Sequence, residues 1–361
     1  MKNQNNSEES EISKKLLSLI HEKASLIKTV KIMEVCGTHT MEIGKMGLRR
    51  VLPSNISLLS GPGCPVCVTP ANYIDKAAAL ALKNIKVFTF GDLIRVPGNT
   101  TSLEEARRLG GHVIIASSPL NIIDAALADP SSEYVFLAVG FETTVPSVAV
   151  AIKTAFEKKI KNLSFLVCHR IVVPALNLLI SDPGLKVSAF LLPGHVTAII
   201  GAKVYEFLKD KDIPGVVSGF KPNEILLGIY EILDMLVTKN IMIKNAYPQV
   251  VSYEGNKSAQ KIIEEIFEVS DAYWRGIGKL PLSGLKMRKK YEKFDAFTKY
   301  GLNEEADFKM PSGCSCGNVL TGKIIPLKCP LFGKECTPEN PKGPCMVSSE
   351  GSCAAYYRYG S

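Results

Sequence analysis

An alternation of helical and strand patterns between residues 73 and 139 constrains this chain more than any other feature. Three amphipathic helical stretches are each followed by a short apolar run of strand length. The pairs are Tyr73–Lys83 with Lys86–Phe90, Ser102–Leu109 with His112–Ala116, and Pro119–Ala128 with Tyr134–Val139. Such alternation is typical of an α/β fold with a mainly parallel sheet, in which the carboxyl ends of the strands line the ligand crevice.

A second series of the same kind follows. Val148–Lys158 has a helical pattern, and apolar runs of strand length occupy Leu163–Cys168, Val187–Leu191 and Gly215–Val217. We therefore predict two similar Rossmann-like α/β domains and a C-terminal cysteine-rich region. The predicted divisions are 1–30, an N-terminal tail and amphipathic helix; 31–155, the first α/β domain; 156–252, the second; and 253–361, a helical and cysteine-rich domain. In the last division the helical periodicity runs through Lys257–Tyr273.

The totals exclude several classes of protein. The chain has 361 residues, which is longer than a domain with a single hydrophobic core usually is. No apolar run reaches the ~18 residues that a membrane span requires. The N-terminus is acidic and polar and does not resemble a secretory signal, so we expect a cytoplasmic protein that does not bind membranes. The net charge of +8 is modest, and the basic run Lys286–Lys293 is typical of a solvated helix face, so we expect no nucleic-acid partner.

Two cysteines lie three positions apart in the stretch Ser60–Pro70. Its glycines permit positive φ and its prolines restrict φ to about −65°, so Cys64 and Cys67 are predicted to lie in a stiff turn and not in an ordinary helix. Such a turn forms a reducible disulfide or supplies half of a tetrahedral metal site. No second Cys-x-x-Cys occurs in the sequence, which favours redox chemistry over a four-cysteine zinc finger. Two unrelated buried thiols are the plain alternative.

From residue 311 onward the sequence is rich in Gly, Pro, Ser and Lys and poor in apolar residues. Its cysteines are Cys314, Cys316, Cys329, Cys336, Cys345 and Cys353. Such a segment does not fold on apolar burial alone and needs a metal or cross-links. The spacing is unlike that of zinc ribbons, so an iron–sulfur cluster is favoured over zinc, with two thiols left over for electron transfer between cluster and disulfide. Spacing alone does not assign the four ligands.

A further cysteine and histidine follow the apolar run Lys31–Val35. The small residues of the segment Cys36–Thr40 are expected to leave Cys36 and His39 exposed near a turn. At this spacing both side chains could reach one metal, or the imidazole could help to hold a thiolate. A buried cysteine and a capping histidine are the plain alternative.

Other candidates lie beside predicted strands. Glu142, in the loop Gly140–Thr144, is either a helix N-cap partner or a functional carboxylate. His195 follows a strand, and its place at the predicted crevice favours function. We include both among the predicted site residues. Cys168 and His169 also end a strand, and they are interpreted as a packed thiol and a surface imidazole.

Four of these motifs and the cysteine-rich tail occur in a fixed order. The motifs are Cys36–His39, Gly61–Cys67, Gly140–Thr144 and Pro193–Val196. Together they resemble the HypD family of hydrogenase maturation factors, over nearly the whole chain beyond residue 30. The resemblance implies two α/β domains, a third region with a [4Fe-4S] cluster, and a complex with the small chaperone HypC and with HypE, which delivers cyanide. It implies that the Fe(CN)2CO group of [NiFe]-hydrogenase is assembled on this scaffold, and it leaves open whether the chain catalyses a step.

The same resemblance implies roles for the cysteines. Cys36 becomes the thiolate that contacts the iron of the Fe(CN)2CO unit, shared with the N-terminal cysteine of a HypC-like partner, and His39 is its neighbour. Cys64 and Cys67 become a redox-active dithiol. The family's cluster spacing, Cys-x14-Cys-x6-Cys-x16-Cys, is matched by Cys314, Cys329, Cys336 and Cys353. The spare pair is then Cys316 and Cys345, as in ferredoxin-thioredoxin reductases, whose cluster also lies beside a disulfide.

Two positions depart from the family pattern. Thr197 stands where serine is usual, and Cys168 precedes His169 where a residue without a thiol is usual. Two functions from other classes also fit the sequence. One is a stand-alone iron–sulfur-dependent protein disulfide reductase, which requires neither Cys36 nor His39. The other is a zinc-stabilised binding module without a redox role.

Overall fold

The computed structural model of the chain describes residues 2–303 and 312–360, with side chains described from Glu9 onward. It confirms the predicted α/β class with mainly parallel sheets. The strands are β1 (Val30–Glu34), β2 (Ile56–Ser60), β3 (Lys86–Thr89), β4 (Val113–Ile115), β5 (Tyr134–Gly140), β6 (Leu163–His169), β7 (Ala189–Pro193), β8 (Gly215–Ser218), β9 (Ile243–Asn245), β10 (Phe267–Trp274) and β11 (Gly278–Met287).

Helices follow most of the strands. They are α1 (Lys2–Ser25), α2 (Gly37–Lys45), α3 (Leu48–Val51), α4 (Pro65–Val68), α5 (Ala71–Leu82), α6 (Leu103–Arg108), α7 (Asn121–Ala128), α8 (Val145–Glu157), α9 (Val172–Ser181), α10 (Gly194–Ile200), α11 (Pro222–Thr238), α12 (Lys257–Ile266), α13 (Ala296–Lys299), α14 (Cys316–Leu320) and α15 (Ser352–Tyr359). Turns of 3-10 helix occupy Gly91–Leu93, Ala202–Lys211, Lys289–Phe294, Pro326–Lys328 and Pro344–Met346. Each of the six elements predicted between residues 73 and 139 is observed.

Two parallel sheets form the framework. The larger sheet has the order β2-β1-β7-β8-β9, and the smaller has the order β4-β3-β5-β6. β1 pairs with β2 on one side and with β7, far along the chain, on the other. The strands of the smaller sheet are thus inserted in sequence between β2 and β7. Sheet membership therefore crosses the predicted boundary between residues 155 and 156, because β1 and β2 join the larger sheet and β6 joins the smaller one.

The sheets separate three apolar cores. Because side chains alternate along a strand, Val135, Leu137 and Val139 of β5 point into a central core, whereas Tyr134 and Phe136 point into an outer one. β7 alternates in the same way between the central core and a second outer core. Both strands are buried throughout, as expected for parallel strands covered on both faces. The central core thus lies between the two sheets.

Two predicted helices have different bounds in the structure. The amphipathic helix predicted before residue 30 is observed as α1, which begins at Lys2 and ends at Ser25, and Val30 instead begins β1. The helix predicted over Lys257–Tyr273 ends at Ile266, because the next residues form the antiparallel hairpin of β10 and β11. Among the described residues, no helix has both the length and the apolar character that crossing a membrane requires.

The basic run Lys286–Lys293 is not one helix face. It is divided between the end of β11 and the 3-10 turn Lys289–Phe294. Tyr291 within the run is buried in an outer core, while Lys289 points into solvent. Tyr291 therefore anchors this segment, and its lysines and Arg288 are solvated.

Candidate functional site

Cys36 lies where β1, an interior strand of the larger sheet, passes into α2. It occupies the N-cap position of α2, and its backbone N–H donates to Oε2 of Glu34 at 3.2 Å. The expected exposure of Cys36 and His39 is wrong, since both side chains are buried. The pKa of the Cys36 thiol is raised to about 12, chiefly by burial and also by the carboxylates of Glu350 and Glu34, while the N–H groups of His39 and Thr38 oppose the shift. The thiol therefore needs a cation to lose its proton at neutral pH.

His39 turns away from Cys36 towards the loop that follows β8. Its Nε2 lies 2.8 Å from the carbonyl oxygen of Gly219, and because a carbonyl only accepts, Nε2 carries the proton. The pKa of His39 is lowered to about 4, chiefly by burial and also by nearby His195, while the hydrogen bond to the Gly219 carbonyl opposes the shift. Nδ1 is buried without a hydrogen-bond partner. His39 is therefore a neutral imidazole with one free lone pair.

The rings of His39 and His195 flank Phe220. The ring centroids of His195 and Phe220 are 4.0 Å apart and stacked, and those of His39 and Phe220 are 4.6 Å apart. Because the three residues follow β1, β7 and β8, they meet at the carboxyl edge of the larger sheet. Two histidines of the predicted site thus lie close together at the strand ends, whereas Phe220 carried no signal beyond its place after a strand.

The Cys64–Cys67 turn lies directly against the Cys36 loop. Cys64 is the N-cap of the one-turn helix α4, and the structure pairs its sulfur with that of Cys67 as a disulfide, with Cα atoms 5.3 Å apart. A Cβ added to Gly63 would come within 2.5 Å of Cys36 Cα. Neither Gly61 nor Gly63 has positive φ. The glycines are therefore required because the two backbones touch, and not for the turn conformation that the sequence suggested.

The cysteines of the tail converge on one pocket. All six line it, and the other lining side chains are mainly apolar, including Leu331, Phe332 and Met346. The N–H of Lys342 points at the sulfur of Cys336 at 3.4 Å, and a Cβ added to Gly343 would lie 3.1 Å from the sulfur of Cys314. The backbone at Lys342 and Gly343 therefore lies directly against two of the sulfur atoms.

The electrostatics of this pocket favour a cationic occupant. Burial raises the pKa of the Cys314 thiol to about 11, and burial together with the surrounding cysteines raises that of Cys353 well above its ordinary value. Crowded thiols of this kind lose their protons when a metal binds. Among the described residues, no three His, Cys, Asp or Glu side chains are arranged around a single metal ion. The all-thiol donor set and the apolar lining fit an iron–sulfur cluster, in which each cysteine binds a different iron.

Cys316 and Cys345 form a close pair in the wall of this pocket. Their sulfur atoms are 3.3 Å apart and both side chains are buried. Together with Cys64 and Cys67 they belong to the central core between the two sheets. α4, which holds Cys67, packs beside the Pro344–Met346 turn, which holds Cys345. The tertiary structure thus places the two thiol pairs in neighbouring elements.

Glu142 reaches the site from the carboxyl end of β5 in the smaller sheet. Its Oε1 accepts from the N–H of Val172 at the start of α9, and its Oε2 is buried without a partner. Burial raises the pKa of Glu142 to about 7. Both Glu142 and Cys36 raise the pKa of the buried Tyr205 hydroxyl, after burial itself. The carboxylate thus caps a helix and acts on the same tyrosine hydroxyl as Cys36 does.

Cys168 and His169 were only half correctly interpreted. Cys168 is a packed thiol of the central core, as predicted. The imidazole of His169 is not on the surface: it is fully buried, its ring packs edge-on against Phe267 at 5.8 Å, and burial lowers its pKa to about 3. The reason is the hairpin of β10 and β11, which covers the end of β6 and was not predicted.

Sequence reasoning also missed two acidic residues of the site. Glu34 holds the Cys36 backbone, and burial raises its pKa to about 7. Glu350 accepts from Oγ1 of Thr38 at 2.7 Å, and a Cβ added to Gly37 would collide with it. Glu350 thus joins the tail to α2. Its only sequence signal is its place as a carboxylate among the cysteines of the tail.

The fold and the site together define a thiol-rich α/β protein, with one cysteine at a strand end, two cysteine pairs in a central core and a cysteine-lined pocket in the tail. This arrangement is suited to metal and redox chemistry.

Comparison with known proteins identifies the family. The family described as "HypD: Hydrogenase formation hypA family" matches residues 11–360. A protein named Hydrogenase maturation factor HypD in Rhodobacter capsulatus is 40% identical, with 93% of this chain and 91% of that protein covered. The protein of the same name in Escherichia coli is 39% identical, covering 95% of this chain and 94% of its own. The chain belongs to the HypD family of hydrogenase maturation factors.

Proposed function

We propose that this chain is the scaffold on which the Fe(CN)2CO group of [NiFe]-hydrogenase is assembled, in the cytoplasm, with a HypC-like chaperone and a HypE-like cyanide donor. In this proposal Cys36 binds the iron that is being built, and the cysteine pairs supply reducing equivalents. The observation that carries the proposal is the continuous contact from the Cys36 loop through Gly63 to the Cys64–Cys67 turn and on to the tail.

The Cys36 environment supports the iron-binding role. The thiol is buried, and its raised pKa shows that the uncompensated thiolate is unfavourable there. A soft thiolate is the ligand type that suits low-spin iron. The carboxyl groups of Glu34 and Glu350 lie beside the same helix start, and burial raises the pKa of both, so a proton released there can be accepted within the site.

The two cysteine pairs can exchange electrons without another protein. Reduction of the Cys64–Cys67 disulfide consumes two electrons and two protons, and oxidation of the Cys316 and Cys345 thiols to a disulfide releases the same number. The ligands proposed for a [4Fe-4S] cluster are Cys314, Cys329, Cys336 and Cys353. When bound, such a cluster supplies one-electron transfer beside the Cys316–Cys345 pair.

The first experiment tests the iron site. The full chain is co-expressed with its HypC-like and HypE-like partners and purified without oxygen, and infrared spectra of the complex are compared for wild type, Cys36→Ala and Cys168→Ala. We expect CN and CO bands in wild type and in Cys168→Ala, which removes another buried thiol of the central core, and none in Cys36→Ala. Bands of equal intensity in Cys36→Ala would refute the assignment.

The second experiment tests the cluster and the relay. Metal and acid-labile sulfide are measured on anaerobically purified protein. Four iron atoms with sulfide per chain would indicate the cluster, whereas one zinc ion per chain would indicate a zinc-stabilised module. Cys329→Ser should lose the visible absorption of the cluster. A double serine variant at Cys64 and Cys67 should keep that absorption but lose maturation activity. An unchanged spectrum for Cys329→Ser rules it out as a ligand.

The close approach of Cys316 and Cys345 also fits a stand-alone protein disulfide reductase. That function requires no iron at Cys36. Turnover of a protein disulfide by the Cys36→Ala chain alone, at the wild-type rate, would favour it over the scaffold.

A further inference from the structure

Arg275 is a buried cation without a carboxylate partner. Its side chain is 1% exposed, and its Nη1 donates to the carbonyl oxygen of Pro97 at 2.7 Å. Nε and Nη2 have no hydrogen-bond partner, and no ion pair joins Arg275 to an acidic residue in the described part of the chain. A buried charge is costly unless an opposite charge offsets it. The position therefore requires an anionic neighbour.

The tail approaches Arg275 at Cys316, because a Cβ added to the next residue, Gly276, would lie 3.6 Å from the Cys316 carbonyl carbon. Burial lowers the pKa of the Arg275 guanidinium, and the charges of Cys316, Cys345 and Cys314 oppose this shift more than that of Asp75 does. The Asp75 carboxylate is committed elsewhere, because it accepts from the N–H groups of Asn99 and Thr100. Sulfur anions of the tail are thus the available counter-charge.

The backbone around Arg275 joins the two thiol groupings. Its N–H donates to the carbonyl oxygen of Val68, the last residue of α4, at 2.8 Å. The next residue, Gly276, packs against Gly317 so closely that an added Cβ would lie 2.9 Å from Gly317 Cα. The connection between β10 and β11 therefore touches both the helix that follows Cys64 and the helix that begins at Cys316.

We propose that Arg275 is a positioning residue whose fixed positive charge stabilises negative charge on the sulfur atoms of the tail, and whose backbone holds the Cys64–Cys67 turn against Cys316. The inference rests on the proposed function, because it gives the cluster and the thiol pair a built-in counter-charge. A reduced cluster carries one more negative charge than an oxidised one. A nearby fixed cation therefore raises its midpoint potential.

The test is a potentiometric titration of the full-length protein with its cluster bound, followed by electron paramagnetic resonance. Arg275→Met removes the charge and keeps an apolar chain of similar length, and we expect its midpoint potential to shift to a lower value than that of wild type. Arg275→Lys keeps the charge and should remain near wild type. Arg95→Gln is the control, because Arg95 also touches the tail, donating to the Pro338 carbonyl at 2.9 Å, but is exposed.

Two results would overturn the proposal. One is a potential in Arg275→Met equal to that of wild type and of Arg95→Gln. The other is a lowered potential in Arg275→Lys, which decides the matter even where Arg275→Met does not fold. Absence of iron from wild type would instead mean that the proposed function has failed, whereas iron-loaded wild type with an unshifted Arg275→Met potential refutes only the role of Arg275.

Discussion

Replacing Gly63 by alanine tests the contact on which the proposed arrangement depends. The added Cβ would lie within 2.5 Å of Cys36 Cα and closer still to the Cys36 nitrogen and the Val35 carbonyl carbon, whereas real Cβ contacts stay above 3.0 Å. Because the added Cβ would lie 2.2 Å from the Cys36 nitrogen, the Cys64–Cys67 turn and the Cys36 loop must separate by at least ~0.8 Å. Because the obstacle is backbone, which cannot rotate aside, we expect a loss of about 3 kcal/mol in the free energy of unfolding, the upper end for overpacking.

The assay is urea denaturation followed by circular dichroism, with Gly91→Ala as the matched control. A Cβ on Gly91 meets only Ile115 Cγ2 at 3.7 Å, an ordinary contact, so this variant should stay within about 0.5 kcal/mol of wild type. Gly63→Ala should also bind less iron at Cys36 in the co-purified complex. If Gly63→Ala is as stable as Gly91→Ala, the two loops are not in direct backbone contact and the reasoning fails.

Three further predictions concern single side chains. Burial raises the pKa of Glu142 to about 7 from 4.5, so its stabilising contribution is lost as the pH rises between those values. Glu142→Gln should then be more stable than wild type at pH 8, by up to about 3 kcal/mol. Thermal denaturation of both proteins at several pH values measures this difference. Melting temperatures that change in parallel with pH in the two proteins would contradict the prediction. Thr38→Val removes the 2.7 Å bond to Glu350 and should cost about 1–3 kcal/mol, visible as faster hydrogen exchange in the tail, and an unchanged exchange rate would count against that contact. Trp274→Ala leaves a cavity at a fully buried site and removes the hydrogen bond from the indole N–H to Ser283. We expect the free energy of unfolding, measured in urea, to fall by about 3–5 kcal/mol. A fall of less than about 1 kcal/mol would argue against the close packing of Trp274.

The spacing of apolar residues predicted helices and strands correctly where a segment keeps one spacing throughout. The helix and strand pairs between residues 73 and 139 are observed because each helix has one apolar face and each strand is a short apolar run. The prediction over Lys257–Tyr273 is wrong beyond Ile266 for a physical reason: pairing with β11 makes residues 267–274 a strand, and a pairing partner is not visible in a helical periodicity.

Among the site residues, the cysteines were predictable as a class and their surroundings were not. Cysteine types and spacings marked Cys36, the Cys64–Cys67 turn and the tail. Burial of His39 and His169 was not predictable, since what covers them comes from distant segments, the Gly219–Phe220 loop and the hairpin. A lone arginine such as Arg275 gives no signal, because its function depends entirely on which side chains lie beside it.

The sequence by itself determined the α/β class, the order of the thiol groupings along the chain and the composition of a tail that cannot fold by apolar burial alone. Only the tertiary structure decided which strands share a sheet and which cysteines share a core. β1 and β7 are more than 150 residues apart in the sequence, and yet they are adjacent in the larger sheet. They pair because this buries both faces of each strand, and which faces are buried depends on the assembled cores. That same assembly sets Gly63 against Cys36 and the tail against α4, which turns separate motifs into one site.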